Sequence, residues 1–355
     1  MVLRPPKRDF PLLKHKFPQT SLFLEGMSTP LWYHDILGSD FQYTDIELGA
    51  DPDGEGTVKA TLVRYLPESS SSIDTRPALL AVHGMTDYFF QRHVAEHFHS
   101  QGYAFYALDL RKCGRARMEQ QRWHYVSDLA YYFEDLNASL DILSTTHSRV
   151  VPLAHSTGGL ITALWVDELH KTDPDRHELI PGLLFNSPWL DMMLPDTAVK
   201  LLRPAFKLIG NACPTLPLPP GGLTTYGESI HCEYRGEWDF DLEMKPIDGH
   251  KKYFGWVTAI LDAQQAIHEG RIDTGVPVLS LCSNTTRLGR PYCEEMDTAD
   301  TIVDVADIKK WGPTLSDNAR VHPIQGARHD VFLSLPAARQ EAFGVADGWL
   351  RSLLK

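Results

Sequence analysis

The sequence lacks the features that mark membrane-spanning, secreted and nucleic-acid-binding proteins. No stretch approaches the roughly 18 consecutive apolar residues of a membrane helix. The N-terminal residues have neither the apolar core nor the small-residue cleavage site of a signal peptide. The net charge is −12, from 34 basic and 46 acidic side chains, which argues against nucleic acids and anionic membrane surfaces as main partners. We therefore expect a cytoplasmic protein without an integral membrane segment.

Cysteine is also scarce. The five cysteines are scattered and never occur in C-x-x-C spacing, so neither a disulfide framework nor a zinc ribbon is expected. The hydrophobic fraction of 43% is enough to form a large buried core. Composition leaves the oligomeric state undetermined.

Predicted strands and helices alternate along most of the chain. A hairpin is predicted first, with strands at 41–48 and 57–66 joined by the polar turn 51–56. Further strands are predicted at 78–82, 103–108, 150–153, 179–185, 276–282 and 321–324, and helices at 93–101, 129–143, 157–169, 256–268 and 337–354. Strands spaced by helices of this length predict βαβ units, and therefore a mostly parallel sheet covered on both faces.

Two segments interrupt the alternation. Residues 1–40 are rich in proline and aromatic residues without clean periodicity, so we predict an irregular N-terminal arm. Residues 189–255 are rich in Pro, Gly, Trp, Tyr and Met, with one amphipathic stretch at 197–209. We predict that this second segment is inserted over the carboxyl ends of the strands. The core then consists of residues 41–188 and 256–355.

The clearest chemical signal is a serine between a buried strand and a helix. The sequence Val150-Val-Pro-Leu-Ala-His-Ser156-Thr-Gly-Gly159 precedes the apolar run 160–166. This is the context of a G-x-S-x-G nucleophile elbow, in which a tight turn presents the serine hydroxyl above a parallel sheet. Ala154 stands in place of the first glycine, which is the mildest replacement. The alternative interpretation is a serine that only caps a helix.

A serine nucleophile needs a base and an acid from later segments. His329 is the best placed of the 16 histidines, because small residues before it allow a turn back over the sheet. Asp300 is the preferred acid, because it opens the apolar run 301–303, which can begin a helix. Three further carboxylates remain alternatives for this role: Asp304, Asp297 and Asp191.

Acyl transfer also needs two donors aimed at the developing oxyanion. The backbone N–H of Thr157 is one candidate, because it follows the serine near a helix N-terminus. The other is the N–H of Met85, in the loop after strand 78–82, where Gly84 permits an unusual turn. Around this centre we predict substrate contacts from His83, Gly84, His155, Trp189 and Leu190.

Together these segments resemble the α/β-hydrolase superfamily and, within it, the monoglyceride-lipase and lysophospholipase-like serine hydrolases. The resemblance covers roughly residues 55–355. It rests on the motifs His83-Gly-Met85, Leu108-Asp-Leu-Arg-Lys-Cys-Gly-Arg115, Ala154-His-Ser-Thr-Gly-Gly159, Asp300-Thr-Ile-Val-Asp304 and Gly326-Ala-Arg-His329. The second motif is similar to the family's D-x-R-G-x-G-x-S loop, from which Lys112 and Ala116 depart. The resemblance implies an α/β-hydrolase core with a lid inserted after the sixth strand, at about residues 190–255.

The predicted activity is hydrolysis of lipid-like esters with an acyl chain, such as monoacylglycerols or lysophospholipids, through Ser156, His329 and Asp300. No metal or organic cofactor is implied. An amidase or aminopeptidase, a thioesterase, an acyltransferase and a non-catalytic binding module remain alternatives on the same fold. The pattern His93-Val-Ala-Glu-His97 also matches an inverted zinc-protease motif, but it falls in the first predicted crossover helix and lacks a third ligand.

Overall fold

One nine-stranded sheet organises the described part of the chain. The structure, a computed structural model, describes residues 30–67, 75–193, 196–219 and 221–355. The strands run in the order β1-β2-β3-β5-β4-β6-β7-β8-β9, and β4 to β9 are parallel. Their bounds are β1 Tyr33–Asp35, β2 Gly38–Ala50, β3 Thr57–Tyr65, β4 Ala78–Val82, β5 Ala104–Asp109, β6 Val150–His155, β7 Leu183–Asn186, β8 Val278–Ser283 and β9 Ala319–Ile324.

Helices cover both faces of this sheet. Alternate residues of each strand point to opposite faces, so Leu79 packs with α1 and α9 while Leu80 packs with α2, α3 and α7. The predicted mostly parallel, doubly covered sheet is confirmed. The helices are α1 Arg92–Ser100, α2 Tyr132–Ser144, α3 Thr157–Thr172, α4 Pro174–Glu178, α5 Asp196–Ala212, α6 Thr224–Ile230, α7 Phe254–His268, α8 Val305–Trp311 and α9 Pro336–Leu353.

The start of the described chain corrects the predicted irregular arm. Residues 1–29 lie outside the described residues, but Tyr33–Asp35 forms the edge strand β1 and β2 already begins at Gly38. A tight reversal joins the two strands, because Gly38 has a φ of +112° and the Asp35 carboxylate accepts the Leu37 N–H at 3.0 Å. Residues 33–40 therefore extend the sheet.

The predicted strand 179–185 is shorter in the structure. Its first residues follow α4, which the sequence pattern did not reveal, and β7 starts only at Leu183. Helix α4 forms because Pro174 occupies its first turn and the Asp173 carboxylate accepts the Arg176 N–H at 3.1 Å.

The acidic turn 51–56 holds an internal ammonium group. Lys112 is completely buried, and its Nζ lies 2.6 Å from Asp51, 3.9 Å from Asp53 and 3.1 Å from Glu55. Its φ of +61° is the left-handed conformation for which a glycine is usual. The residue that departs from the family's glycine thus forms ion pairs with the acidic turn.

The segment between β7 and α7 lies over the carboxyl ends of the parallel strands, and its described residues contain two helices. The amphipathic stretch predicted at 197–209 lies within α5, whereas α6 was not predicted. Helix α5 packs on α7, with the Phe206 and Phe254 rings 5.1 Å apart and Arg203 donating to Asp262 at 2.9 Å. The segment follows the seventh strand of this sheet, because β1 adds an edge strand.

Within the described ranges, every helix is too short or too polar to cross a lipid bilayer. The cytoplasmic location stays a prediction from the sequence.

Candidate active site

Ser156 lies at the apex of a sharp turn between β6 and α3. Its φ of +53° and ψ of −120° are strained for a residue with a side chain, so the surroundings must hold the turn. The Ser156 N–H donates to the Asn186 carbonyl, and the Ser156 carbonyl accepts the N–H groups of Gly159 and Trp189, all at 3.0 Å. The serine hydroxyl is thereby fixed above the end of the parallel sheet.

Two glycines allow the close approach that this turn requires. A Cβ on Gly84 would lie 2.9 Å from the Cβ of Ser156, and one on Gly158 would lie 2.6 Å from the Val82 carbonyl oxygen. Atoms at these distances repel each other, so a side chain at either position would destabilise the turn. Gly84 and Gly158 therefore permit β6, α3 and the loop after β4 to meet at Ser156.

His329 and Asp300 complete a chain of hydrogen bonds that begins at the serine. The His329 Nε2 lies 3.0 Å from the Ser156 Oγ, and its Nδ1 lies 2.8 Å from the Asp300 Oδ2. Asp300 is fully buried, and its other oxygen accepts the N–H groups of Ile302 and Val303 at 2.8 and 2.9 Å. With Asp300 ionised, Nδ1 donates to it and Nε2 is free to accept the serine proton.

The other three candidate acids lie elsewhere. Asp304 caps α8 by accepting the Ala306 N–H at 2.9 Å, so the helix begins after Asp304 and not at Asp300. The prediction that a helix begins at Asp300 is therefore wrong, because Asp300 lies in a turn before α8. Asp297 accepts a hydrogen bond from the Arg328 guanidinium at 2.8 Å. Asp191 accepts one from the Trp311 Nε1 at 2.8 Å.

The two residues predicted to supply oxyanion donors, Met85 and Thr157, lie beside the serine. Thr157 is the first residue of α3, so its N–H has no partner within the helix. Met85 follows Gly84 in the loop after β4, and both Met85 and Thr157 line one cavity together with Ser156 and His329. The oxyanion hole formed by these two N–H groups stays a prediction from the sequence.

His83, Gly84 and Leu190 do not line this cavity, in contrast to the predicted substrate contacts. The His83 Nε2 accepts the Leu110 N–H at 3.1 Å, so its Nδ1 donates to the Gly84 carbonyl at 2.8 Å. Both ring nitrogens are thus used to fasten the loop after β4. Leu190 is packed in the core, where its carbonyl accepts from His268 at 2.9 Å.

His155 and Trp189 do line the cavity. The His155 ring lies 4.7 Å from the His329 ring, and its Nδ1 lies 3.0 Å from the Asn186 carbonyl oxygen. Burial lowers the pKa of His155 to about 4, so this imidazole is neutral at pH 7. It therefore adds no positive charge to the site.

Asp330 is a second buried carboxylate beside the histidine. Burial by itself would raise its pKa, but the field of His155 and hydrogen bonds from Asn186, Phe332 and Gln91 hold that pKa below its ordinary value. The Asn186 Nδ2 donates to it at 2.6 Å. Asp330 thus ties the His329 loop to the end of β7. It was not predicted as a site residue, and its position directly after His329 is the one signal for it in the sequence.

The cavity has a volume of about 340 Å³ and is mostly apolar. Residues 189–255 supply most of its lining, including Trp189, Met192, Met193, Phe206, Leu218, Leu223, Tyr226, Phe240, Lys245, Ile247 and Lys252. Asp87, Tyr226 and Lys245 are polar members that sequence reasoning missed. Tyr226 and Lys245 come from a segment without periodicity, so no pattern pointed to them, whereas Asp87 follows the predicted Met85 by two positions.

The H-x-x-E-H pattern serves packing. The His93 Nε2 donates to the Phe332 carbonyl at 3.0 Å, and its ring stacks on Trp238 at 4.2 Å. The His97 Nε2 lies 3.1 Å from Asp347. These contacts fasten α1 to the C-terminal part of the chain.

One group of side chains within the described residues has metal-ligand spacing. Its three members, His231, Cys232 and Asp239, have ligand atoms within 4.8 Å of one another. Both His231 nitrogens already have partners, the Glu233 N–H and the Phe240 carbonyl, each at 3.1 Å. We therefore assign no metal to this group.

A nucleophile elbow, a histidine loop and a parallel, doubly covered sheet together define the α/β-hydrolase class. Residues 73–334 match the model of the Hydrolase_4 family, described as serine aminopeptidase, S33. The chain belongs to this family, and the resemblance inferred from the motifs is confirmed. A comparison with curated proteins finds no match.

Several solved structures share the fold at low sequence identity. A soluble variant of monoglyceride lipase from Saccharomyces cerevisiae is 17% identical with a TM-score of 0.60, covering 91% of this chain and 94% of that one. The monoacylglycerol lipase of Paleococcus ferrophilus is 19% identical with a TM-score of 0.55, covering 78% and 96%. Est1E from Butyrivibrio proteoclasticus, with ferulic acid bound, is 16% identical with a TM-score of 0.50, covering 87% and 100%.

Proposed function

We propose that this hydrolase cleaves carboxylic esters of lipid-like substrates, such as monoacylglycerols or lysophospholipids, through an acyl-enzyme on Ser156. The hydrogen-bonded series from Ser156 through His329 to Asp300 is the observation that carries the proposal. A serine hydroxyl becomes a useful nucleophile when an oriented imidazole takes its proton.

The reaction proceeds in two halves. His329 Nε2 takes the Ser156 proton while Oγ attacks the ester carbonyl carbon, and the N–H groups of Met85 and Thr157 stabilise the resulting oxyanion. His329 then protonates the alkoxide oxygen as the C–O bond breaks, which releases the alcohol and leaves the acyl group on Ser156. Water, deprotonated by His329, attacks the acyl-enzyme and releases the carboxylic acid. Asp300 stabilises the imidazolium in both halves.

The lining of the cavity supports an acyl chain as the group bound beside the serine. Met192, Phe206, Leu218 and Val257 present apolar side chains to the space next to Ser156. Burial of a methylene is worth about 0.8 kcal/mol, so longer acyl chains are expected to raise kcat/KM until the cavity is filled. Residues 189–255 then serve as a lid over the site.

An aminopeptidase activity is the second candidate, because the matching family is described as a serine aminopeptidase. Recognition of a free α-amino group calls for an available carboxylate. Asp87 is the acidic residue among the described cavity-lining residues, and its Oδ1 lies 2.7 Å from the Lys245 ammonium group. This pairing favours the ester over the aminoacyl substrate.

A substrate panel with a serine variant tests the proposal. Purified protein is assayed on p-nitrophenyl esters of increasing chain length, on monoacylglycerols and lysophospholipids, and on aminoacyl anilides. We expect ester turnover that falls by at least about 1,000-fold in Ser156→Ala, together with loss of fluorophosphonate labelling. The matched control is Ser139→Ala, which changes a buried serine in helix α2. This control variant is expected to be labelled as fully as the wild type. Higher kcat/KM on anilides than on every ester would replace the proposal with the aminopeptidase.

A further inference from the structure

The segment over the active site is hydrogen-bonded to the loop that presents the predicted oxyanion donor. Three consecutive residues of that loop, directly after Met85, each contact residues 241–250. The contacts are the His250 N–H to the Thr86 Oγ1 at 3.1 Å, the Lys245 Nζ to the Asp87 Oδ1 at 2.7 Å, and the Asp241 N–H to the Tyr88 hydroxyl oxygen at 2.8 Å.

The ion pair is the strongest of these contacts because both groups are buried. Asp87 is 2% exposed and Lys245 is 7% exposed. The Lys245 ammonium lies 5.7 Å from the ring centres of three aromatic residues, which is within range of a cation–π attraction: Phe90, Tyr226 and Phe240. Breaking a buried ion pair is strongly destabilising, because it leaves an uncompensated charge. Asp87 is therefore held firmly, two residues from Met85.

The loop needs an external hold on this side. Thr86 has a φ of +55°, which is strained for a residue branched at Cβ. On its other side the loop is held by His83, which bonds to Leu110 in the core. An oxyanion donor acts only when it is placed to within about 0.5 Å of its working position. The core thus fixes one end of this short loop through His83, and the segment of residues 189–255 fixes the other end through Lys245.

We propose that Lys245 is a positioning residue for the oxyanion hole: through its ion pair with Asp87 it holds the loop that presents the Met85 N–H. This inference rests on the proposed function, since it assumes an acyl-transfer reaction at Ser156. It makes the segment of residues 189–255 part of the catalytic apparatus and not only a cover. A direct contact of Lys245 with substrate is the competing role, because Lys245 also lines the cavity.

The two roles differ in the kinetic constant that they change. An oxyanion donor acts in the transition state and not in the ground state, so its displacement lowers kcat with little change in KM. Loss of one such donor costs about 100- to 1,000-fold in kcat. We expect Lys245→Met to lower kcat by about 10- to 100-fold on the best ester, with KM within about threefold. Affinity for a trifluoromethyl ketone, which mimics the tetrahedral intermediate, is expected to fall by the same factor as kcat/KM.

Two further variants separate positioning from loss of folding. Lys245→Arg keeps the ion pair and is expected to restore kcat to within about threefold of wild type. Lys245→Met combined with Asp87→Asn leaves no unpaired buried charge, so it is expected to fold even where the single variant does not, and to keep the low kcat. The matched control is Lys207→Met, which removes a different ion pair of the same segment, 2.6 Å from Asp262. It is expected to change kcat by less than about twofold.

Circular dichroism and thermal unfolding establish that each variant is folded. Unchanged kcat in folded Lys245→Met, or a raised KM at constant kcat, would overturn the positioning role. The second result would assign Lys245 to substrate binding. Absence of any ester turnover in the wild type would instead overturn the proposed function, and the inference with it.

Discussion

At the scale of single residues, the site depends on a few side chains whose roles are set by their neighbours. Asp300 and Asp297 lie in the same loop, yet one contacts His329 and the other pairs with Arg328. The sequence shows that both residues are aspartates, but it does not show which side chain each of them contacts. The sequence singles out Ser156 and His329 as candidates because an elbow and a histidine loop have local signatures, whereas an acid needs only a carboxylate within reach.

Replacing Asp300 with asparagine tests the acid at this scale. The amide oxygen of the new side chain can still accept the Ile302 and Val303 N–H groups, so the fold is retained. The charge that fixes the His329 tautomer is lost, so kcat is expected to fall about 10⁴-fold for Asp300→Asn. Steady-state assays on a p-nitrophenyl ester measure this. Asp297→Asn is the matched control, with a change below about threefold, and equal losses in the two variants would refute the assignment.

At the scale of elements, the loop after β5 shows how a departure from a motif is accommodated. Lys112 takes a left-handed backbone conformation where the resembling family has glycine, and the turn between β2 and β3 supplies the carboxylates around its ammonium group. The acidic turn and the unusual lysine were each visible in the sequence. Their pairing was not, because the two segments lie far apart in the chain and only the sheet brings them together.

Lys112→Met tests this pairing. The variant leaves the Asp51 and Asp53 carboxylates without their cation, while Glu55 keeps its pair with Arg122. We expect a loss of about 3 to 5 kcal/mol in the free energy of unfolding. Urea unfolding followed by circular dichroism measures it. Lys59→Met, which removes an exposed pair with Asp45, is expected to cost less than about 1 kcal/mol. A loss below that value in Lys112→Met would contradict the structural role.

At the scale of the whole molecule, the packing of several elements keeps histidines wholly or partly buried and neutral. Burial lowers the pKa of His155 and of His250 to about 4, and also lowers that of His93 and, strongly, that of His124. These side chains come from α1, from the end of β6, from a loop beside the site and from the segment over it. Their shared state is therefore a property of the assembled fold.

This state predicts how stability depends on pH. A histidine that is neutral when folded and titrates near 6.5 when unfolded favours unfolding below about pH 6.5, because the unfolded chain then binds more protons. Stability is complete above about pH 7 and falls progressively toward pH 4, by about 1.4 kcal/mol for each unit of pKa difference at a buried group. The raised pKa of Asp53, whose main cause is burial, acts in the opposite direction at lower pH.

Urea unfolding at pH 7.5, 6.5, 5.5 and 4.5 measures this dependence. We expect the midpoint to fall most between pH 6.5 and 4.5. In His155→Gln, which keeps a polar side chain that cannot be protonated, the fall is expected to be smaller. A midpoint that is constant or rises over this range would contradict the prediction.

The sequence by itself determined the parallel part of the sheet, the main helices on its two faces, the serine turn and the histidine loop, because these depend on local periodicity and short-range turn chemistry. Tertiary structure alone decided which carboxylate meets His329, which side chains line the cavity, and how Lys245 and Lys112 find their counter-charges. Those choices depend on distances between segments far apart in the chain, and no local pattern encodes such distances. Residues 189–255 illustrate the difference, since outside the amphipathic stretch 197–209 they lack periodicity and yet supply most of the cavity wall.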